Sequence, residues 1–261
     1  QSFQKEMDKQ RERGRLSQKK EVITVAHTSS ENNPTNFTGF NSNNLKGFIT
    51  TVIDVHTDER GSFLILDESP FYAEMGGQVG DAGSISVDGT TFTITDTIRD
   101  NCGRHLHKCD GSANLDLTNK KATCDVDTIR RKSIECHHTG THLLNWALRE
   151  KFGTHIKQAG SLVEENRLRF DFTHFEPVQN ETLLQIEEMI NQRILKNSFI
   201  KTFETSFDAK PKDVIAFFGE KYGDRVRVVD VGGFSKELCG GCHVKSTAEL
   251  GLFKIISEAG I

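Results

Sequence analysis

The sequence predicts an α+β protein in two parts: a small antiparallel β-barrel domain, then a domain with helices packed on a mostly antiparallel sheet. Three observations point there. Short apolar runs of strand character, punctuated by Asn, Gly and Asp, fill residues 21–126. Apolar residues at helical spacing follow from 127 onward, first in the stretch Glu135–Arg149 and again over Asn180–Asn197. Strand-like runs then recur between and after those helices.

Residues 1–20 carry seven Lys/Arg against three Asp/Glu, with Phe3 and Met7 one helical turn apart. They read as the end of a basic helix, marginal in isolation and so a remnant of a preceding domain. Strands are expected at Val22–Val25, Gly47–Ile53, Ser62–Leu66, Gly83–Val87 and Thr91–Thr95. Their close spacing is that of a small barrel or sandwich. The polar stretch Thr28–Asn44 reads as a mobile connection. Within the first part, Ala73-Glu-Met-Gly-Gly-Gln-Val-Gly-Asp81 is a glycine-rich loop able to turn tightly and approach another surface closely. It is neither a Walker A loop nor G-x-G-x-x-G.

The second part, 127–261, opens with a helix expected over 127–151. A hairpin over 154–173 turns at Glu164-Glu-Asn166. An amphipathic helix over 180–197 follows, then a strand at 200–206, a short helix at 211–218, a strand from Arg225 and another from Gly251.

Composition excludes several classes. The chain has 261 residues and a net charge of −4, which argues against wholesale coating of nucleic acid. No run approaches the ~18 apolar residues of a membrane span, and no secretory signal is visible. Six cysteines in a chain of this length do not form a disulfide framework, so reduced thiols and a cytoplasmic setting are expected. The run Arg130-Arg131-Lys132, just before the His-rich stretch, is a candidate for holding phosphates.

The candidate chemistry lies in two clusters. His138 and His142 are four residues apart, one above the other on one helix face. His137 is rotated about 100° from His138 and has only Thr141 at i+4. About a hundred residues later comes Cys239-Gly-Gly-Cys242-His243. Two His from a helix with donors from a glycine turn suit a tetrahedral zinc site, Cys239 pairing with either His243 or Cys242. Thr139 stands where H-E-x-x-H needs its glutamate, and the H-x-E…P-C-x-x-C pattern is missing; protease and deaminase are both disfavoured.

The order Ala73-Glu-Met-Gly-Gly-Gln-Val-Gly-Asp81, His138-Thr-Gly-Thr-His-Leu-Leu144, Leu238-Cys-Gly-Gly-Cys-His243 resembles the alanyl-tRNA synthetase family, in its β-barrel and editing domains. Gln158-Ala-Gly-Ser-Leu-Val163, Leu168-Arg-Phe-Asp-Phe172 and Phe218-Gly-Glu-Lys-Tyr222 extend the likeness over almost the whole chain. Free-standing AlaX editing proteins share both domains, but the basic segment 1–20 resembles the end of the synthetase's tRNA-recognition helices.

The resemblance implies an aminoacyl-tRNA deacylase acting on tRNA(Ala) mischarged with serine or glycine. It also implies zinc held by His138, His142, Cys239 and His243, and an editing pocket at Gln158. The barrel loop Gly76-Gly77-Gln78 is expected to face that pocket. Thr141 and Ser161 are further candidates for binding a serine hydroxyl, and Arg130, Arg131 and Lys132 for the acceptor-end phosphates. Expected partners are the acceptor end of tRNA(Ala) and the rest of a synthetase chain, with no membrane and a monomeric state. A non-catalytic tRNA-binding module with structural zinc is the alternative. Two departures stand out: Cys242 replaces the family's usual Thr, and a following Gly-x-Arg-Arg-Ile segment is not in the chain.

Overall fold

A computed structural model describes residues 33–113, 115–216 and 223–259. The expected helix at 1–20, the strand at Val22–Val25 and the motif Phe218–Tyr222 lie outside the described residues.

The chain opens with β1 (Asn36–Phe37), which pairs in parallel with β4 (Glu68–Ser69). A closed barrel follows, built from β2 (Phe48–Asp58), β3 (Gly61–Leu66), β5 (Gly83–Val87), β6 (Thr90–Arg99), β7 (His105–Cys109) and β8 (Lys121–Val126). The strand order is β2-β3-β7-β6-β5-β8, every pairing is antiparallel, and β8 closes on β2 through Phe48–Cys124 to Thr51–Lys121. Closure leaves no free edge. The β5–β6 link is the two-residue turn Asp88-Gly89, both at positive φ, which matches strand twist and sets the register. Val52, Leu64, Leu66, Ile85, Val87, Ile94, Cys124 and Val126 fill the interior.

β7 breaks the expected apolar alternation, since His105 and His107 are buried. Nδ1 of His107 donates to the Leu64 carbonyl at 2.8 Å, and Nε2 accepts from the Ser69 hydroxyl at 2.7 Å. Burial pushes His107 down to about 3 and His105 to about 4, so both are neutral.

Helix α1 (Thr128–Phe152) follows the barrel. Asp127 caps it by accepting from the amides of Ile129 and Arg130, and Gly153 ends it at φ 102°. The hairpin β9 (Gln158–Val163) and β10 (Leu168–Phe172) comes next. Helix α2 (Asn180–Leu195) then buries Ile186, Ile190 and Ile194, spaced i, i+4, i+8, against Leu143, Ala147 and Leu148 of α1. Each such side chain contributes about 1.5–3 kcal/mol. Strands β11 (Ile200–Ser206), β12 (Arg225–Val231) and β13 (Ser235–Leu238) form a separate antiparallel sheet, order β11-β12-β13. The second part therefore carries two small antiparallel sheets rather than the one expected.

Two local expectations fail. No helix forms over 211–216: after a turn closed by Val214 N to Pro211 O, Ile215 bonds instead to Lys236 O and Leu238 N. No ladder forms from Gly251. The backbone of Phe253 bonds both ways to the Asn191 side chain, and Ile255 N donates to Glu187, so α2 side chains take the place of a strand partner.

α1 is tied to the barrel by Arg131, 1% exposed, whose Nε lies 2.9 Å from both carboxylate oxygens of the equally buried Asp81. Its other nitrogens donate to Gly39 O and Pro70 O. The glycine-rich loop is joined to β9, Gly77 O accepting from Val163 N at 2.8 Å.

Candidate metal centre

One helix and one turn bring the donors together. His138 and His142 are buried on the same face of α1, their rings stacked with centroids 5.7 Å apart. β13 delivers Cys239, and the turn Gly240-Gly241 curls back so that Sγ of Cys239 lies 3.3 Å from Nε2 of both His138 and His243. The donor atoms of His138, His142, Cys239 and His243 all lie within 4.8 Å of one another. Gly241 is required by space: a Cβ there would stand 1.9 Å from Cε1 of His138. The turn thus places His243 with Cys239 in the cluster, while Cys242 is a buried thiol that burial pushes up to about 12.

The imidazoles are oriented from behind. Gln78 Oε1 accepts from Nδ1 of His138 at 2.7 Å and from the Cys242 amide at 2.9 Å. Thr139 Oγ1 lies 3.2 Å from Nδ1 of His243. Nδ1 of His142 is 2.9 Å from Oε2 of Glu237, which also accepts, through Oε1, from Nδ2 of Asn145 at 2.8 Å. Each Nδ1 thus faces an outer partner, the usual way of fixing tautomer and ring angle in metal sites. Both ring nitrogens of His142 are buried without a hydrogen bond among the described residues, Nδ1 standing at ion-pair distance from Glu237. Three imidazoles and one thiol, with Nε2 of His142 unpaired, fit a tetrahedral divalent ion of zinc type.

The electrostatics agree. Burial pushes the Cys239 thiol up, but the imidazoles of His138, His243 and His142 outweigh it and hold it well below the ordinary thiol value. Burial pushes His142 down, yet the Glu237 carboxylate raises it to about 10; burial holds His243 at about 3. A cation bound there takes the place of any protons held on these nitrogens and on the sulfur.

The other expected site residues divide. Gln78 lies against the centre, but behind His138 rather than facing an open pocket. Gly76 and Gly77 have φ of 60° and 87°, and a Cβ on Gly77 would meet Ser161 Oγ at 2.3 Å. Ser161 Oγ in turn lies 3.5 Å from Gly76 O. Ser161 faces Phe170 across the hairpin, and Gln158 faces Phe172 beyond a bulge that interrupts the alternation. Gln158 makes no hydrogen bond to the four donors. The Thr141 hydroxyl is turned back onto His138 O at 2.6 Å, satisfied within its own helix.

The three cations of the basic run are each engaged within the fold. Arg131 is the buried clamp on Asp81, Arg130 donates to Gly80 O and pairs with Glu165, and Lys132 pairs with Glu249. Helical geometry turns consecutive residues to different sides, so three adjacent cations cannot share one ligand.

Glu237, Thr139 and Arg227 were not read in the sequence as residues that support the site. Nη1 of Arg227 donates to Cys239 O (2.8 Å) and Gly241 O (2.9 Å), holding the turn. No spacing advertises them, because each acts across a contact between distant segments. His137, by contrast, points away as its helical angle requires, to Glu164 O at 2.7 Å.

Residues 1–130 match the family described as tRNA synthetases class II (A). Residues 226–261, which include Cys239 and His243, match the Threonyl and Alanyl tRNA synthetase second additional domain. A barrel joined to this His/Cys centre is therefore a segment of class II synthetase type. The chain is 47% identical over 268 residues to an alanine–tRNA ligase of Opitutus terrae, covering 99% of the chain and 28% of that protein. It is 39% identical over 263 residues to that of Methylacidiphilum infernorum (100% and 27%). Against that of Bacillus subtilis it is 40% identical over 270 residues (99% and 31%). The chain belongs to the alanyl-tRNA synthetase family, and spans less than a third of the length of these curated relatives. No described helix is long and apolar enough to cross a membrane.

Proposed function

We propose that this segment is the proofreading part of an alanyl-tRNA synthetase, hydrolysing the ester of tRNA(Ala) mischarged with serine or glycine. The observation that carries it is the four-donor cluster with its unpaired His142 nitrogen, in a chain of this family. A synthetic site for alanine excludes serine and glycine poorly, since one adds only a hydroxyl and the other is smaller. A second, hydrolytic site can sort by hydrogen bonds to the serine hydroxyl.

His138, His142, Cys239 and His243 would hold zinc, which when bound would supply fixed positive charge to the site. The chain's own groups do the rest. Gln158 and Ser161, on one strand of the hairpin, are assigned to the substrate's amino-acid part. Gly76 and Gly77 let the barrel loop reach the hairpin closely enough to wall that strand. Gln78, Thr139 and Glu237 keep the three rings aimed. The domain division taken here is 21–126 for the barrel and 127–261 for the editing domain, in a cytoplasmic protein. The acceptor end of tRNA(Ala) and the remainder of the synthetase are its partners, and the segment itself is a monomer.

Four protein donors fill a tetrahedral shell, and that favours a second reading, a tRNA-binding module with structural zinc. One assay separates the two: release of serine from Ser-tRNA(Ala), against alanine from Ala-tRNA(Ala), by the wild-type chain and Ser161→Ala, both zinc-loaded. Selective serine release, weakened in the variant at unchanged zinc content, is expected. A zinc-loaded, folded chain that releases neither amino acid supports the binding module.

A further inference from the structure

A second pair of metal-type donors lies outside the four-donor centre. His155 follows the end of α1 and His174 follows β10, so the two stand on either side of the open end of the hairpin. Nε2 of His155 is 3.3 Å from Nδ1 of His174. That is longer than the roughly 2.7–3.2 Å of a good N–H hydrogen bond. It is the spacing an ion imposes: two imidazole nitrogens, each about 2.0–2.1 Å from a tetrahedral ion, stand about 3.3 Å apart. In the four-donor centre, Sγ of Cys239 keeps the same 3.3 Å from Nε2 of His138 and of His243.

The two rings are held ready. They stack at an interplanar angle of 23°, with centroids 5.6 Å apart. Phe152 closes on His174 at 4.3 Å between centroids, and Phe175 stacks on His155 at 5.7 Å. The backbone beneath is fixed as well. Thr173 N donates to Lys157 O at 2.9 Å, and the Thr173 hydroxyl donates to His155 O at 3.2 Å. Little side-chain freedom is therefore left to lose on binding. His155 is exposed and His174 half-buried, so an ion reaches them from solvent. Among the described residues no carboxylate or thiol joins them as a third donor, which leaves the other positions on the ion to water. Phe152 lies ten residues beyond His142 on α1, about 15 Å along the axis, so the pair and the centre cannot share one ion.

We propose that His155 and His174 form a second, two-donor site for a borderline divalent ion of the zinc, nickel or copper class. Neutral imidazole is the common ligand for such ions. Two donors hold an ion more weakly than four, so this site fills after the centre. An ion there ties the segment entering β9 to the one leaving β10, closing the hairpin that carries Gln158 and Ser161. The assignment does not depend on the deacylase reading.

The test is a zinc titration of the chain with its four-donor centre already saturated, followed by calorimetry and by the side-chain nitrogen NMR signals of the histidines. A second equivalent is expected, shifting the signals of His155 and His174 and leaving that of His56 unmoved. His155→Gln and His174→Gln should each abolish that second step while the first equivalent stays bound. His56→Gln, at a half-buried histidine of β2, should leave both steps as in wild type. Absence of a second equivalent in wild type, or one that survives in both glutamine variants at these two positions, overturns the proposal. So does a second equivalent that shifts other histidines instead, which would be adventitious zinc. The wild-type signals decide between these outcomes even where a variant folds poorly.

Discussion

Oε2 of Glu237 lies 2.9 Å from Nδ1 of His142, and both side chains are 3% exposed. This carboxylate, two residues before Cys239, aims a donor that sits nearly a hundred positions away. Removing its charge while keeping its shape tests that role. Glu237→Gln should lower zinc affinity by about 10–100-fold, the usual cost of losing an outer partner. Competition with a calibrated chelator measures it; an unchanged affinity would show that Glu237 serves packing alone.

Gly241→Ala should abolish the centre without unfolding the barrel. The added methyl would stand 1.9 Å from Cε1 of His138, which cannot retreat because Gln78 and Cys239 hold its two nitrogens. Zinc content should fall to near zero while the circular dichroism of the strands persists. Full metal loading would show that the turn can open.

Arg131→Met should cost about 3–5 kcal/mol, since it strands the buried Asp81 carboxylate. The double variant Arg131→Met with Asp81→Leu should recover much of that loss. Urea unfolding of the single and double variants checks both. A loss under 1 kcal/mol in the single variant would mean that the pair is dispensable as a clamp.

The barrel should weaken in mild acid. His107 and His105 have folded pKa values of about 3 and about 4, below the ordinary value of 6.5. Depressed values mean that the unfolded chain binds protons first, so stability is full above 6.5 and is lost as pH falls towards 3. Between pH 4 and 6 the slope should approach about two protons, roughly 1.4 kcal/mol per pH unit for each histidine. His107→Gln should bring it to about one. A flat profile over that range would mean that both histidines can be protonated in the folded barrel.

The parts legible in the sequence were those governed by local periodicity. Strand alternation located β2, β3, β5 and β6, and the 3.6-residue stripe located α2 by Ile186, Ile190 and Ile194. Helical spacing put His138 and His142 on one face, and the same geometry turned His137 away. β7 stayed hidden because His105 and His107 are polar in sequence yet buried, made tolerable by Phe71 O, Leu64 O and Ser69.

What the sequence determined by itself is therefore the barrel, the principal helices, the candidate donor residues and the family likeness. Tertiary structure alone decided that His243 rather than Cys242 lies with Cys239 in the cluster, that Arg131 is a buried clamp on Asp81, and that Glu237, Thr139 and Arg227 support the site. The physical reason is range. Periodicity and turn chemistry act within a few residues, whereas a donor's partner, its burial and hence its protonation depend on segments that meet only when the chain has closed.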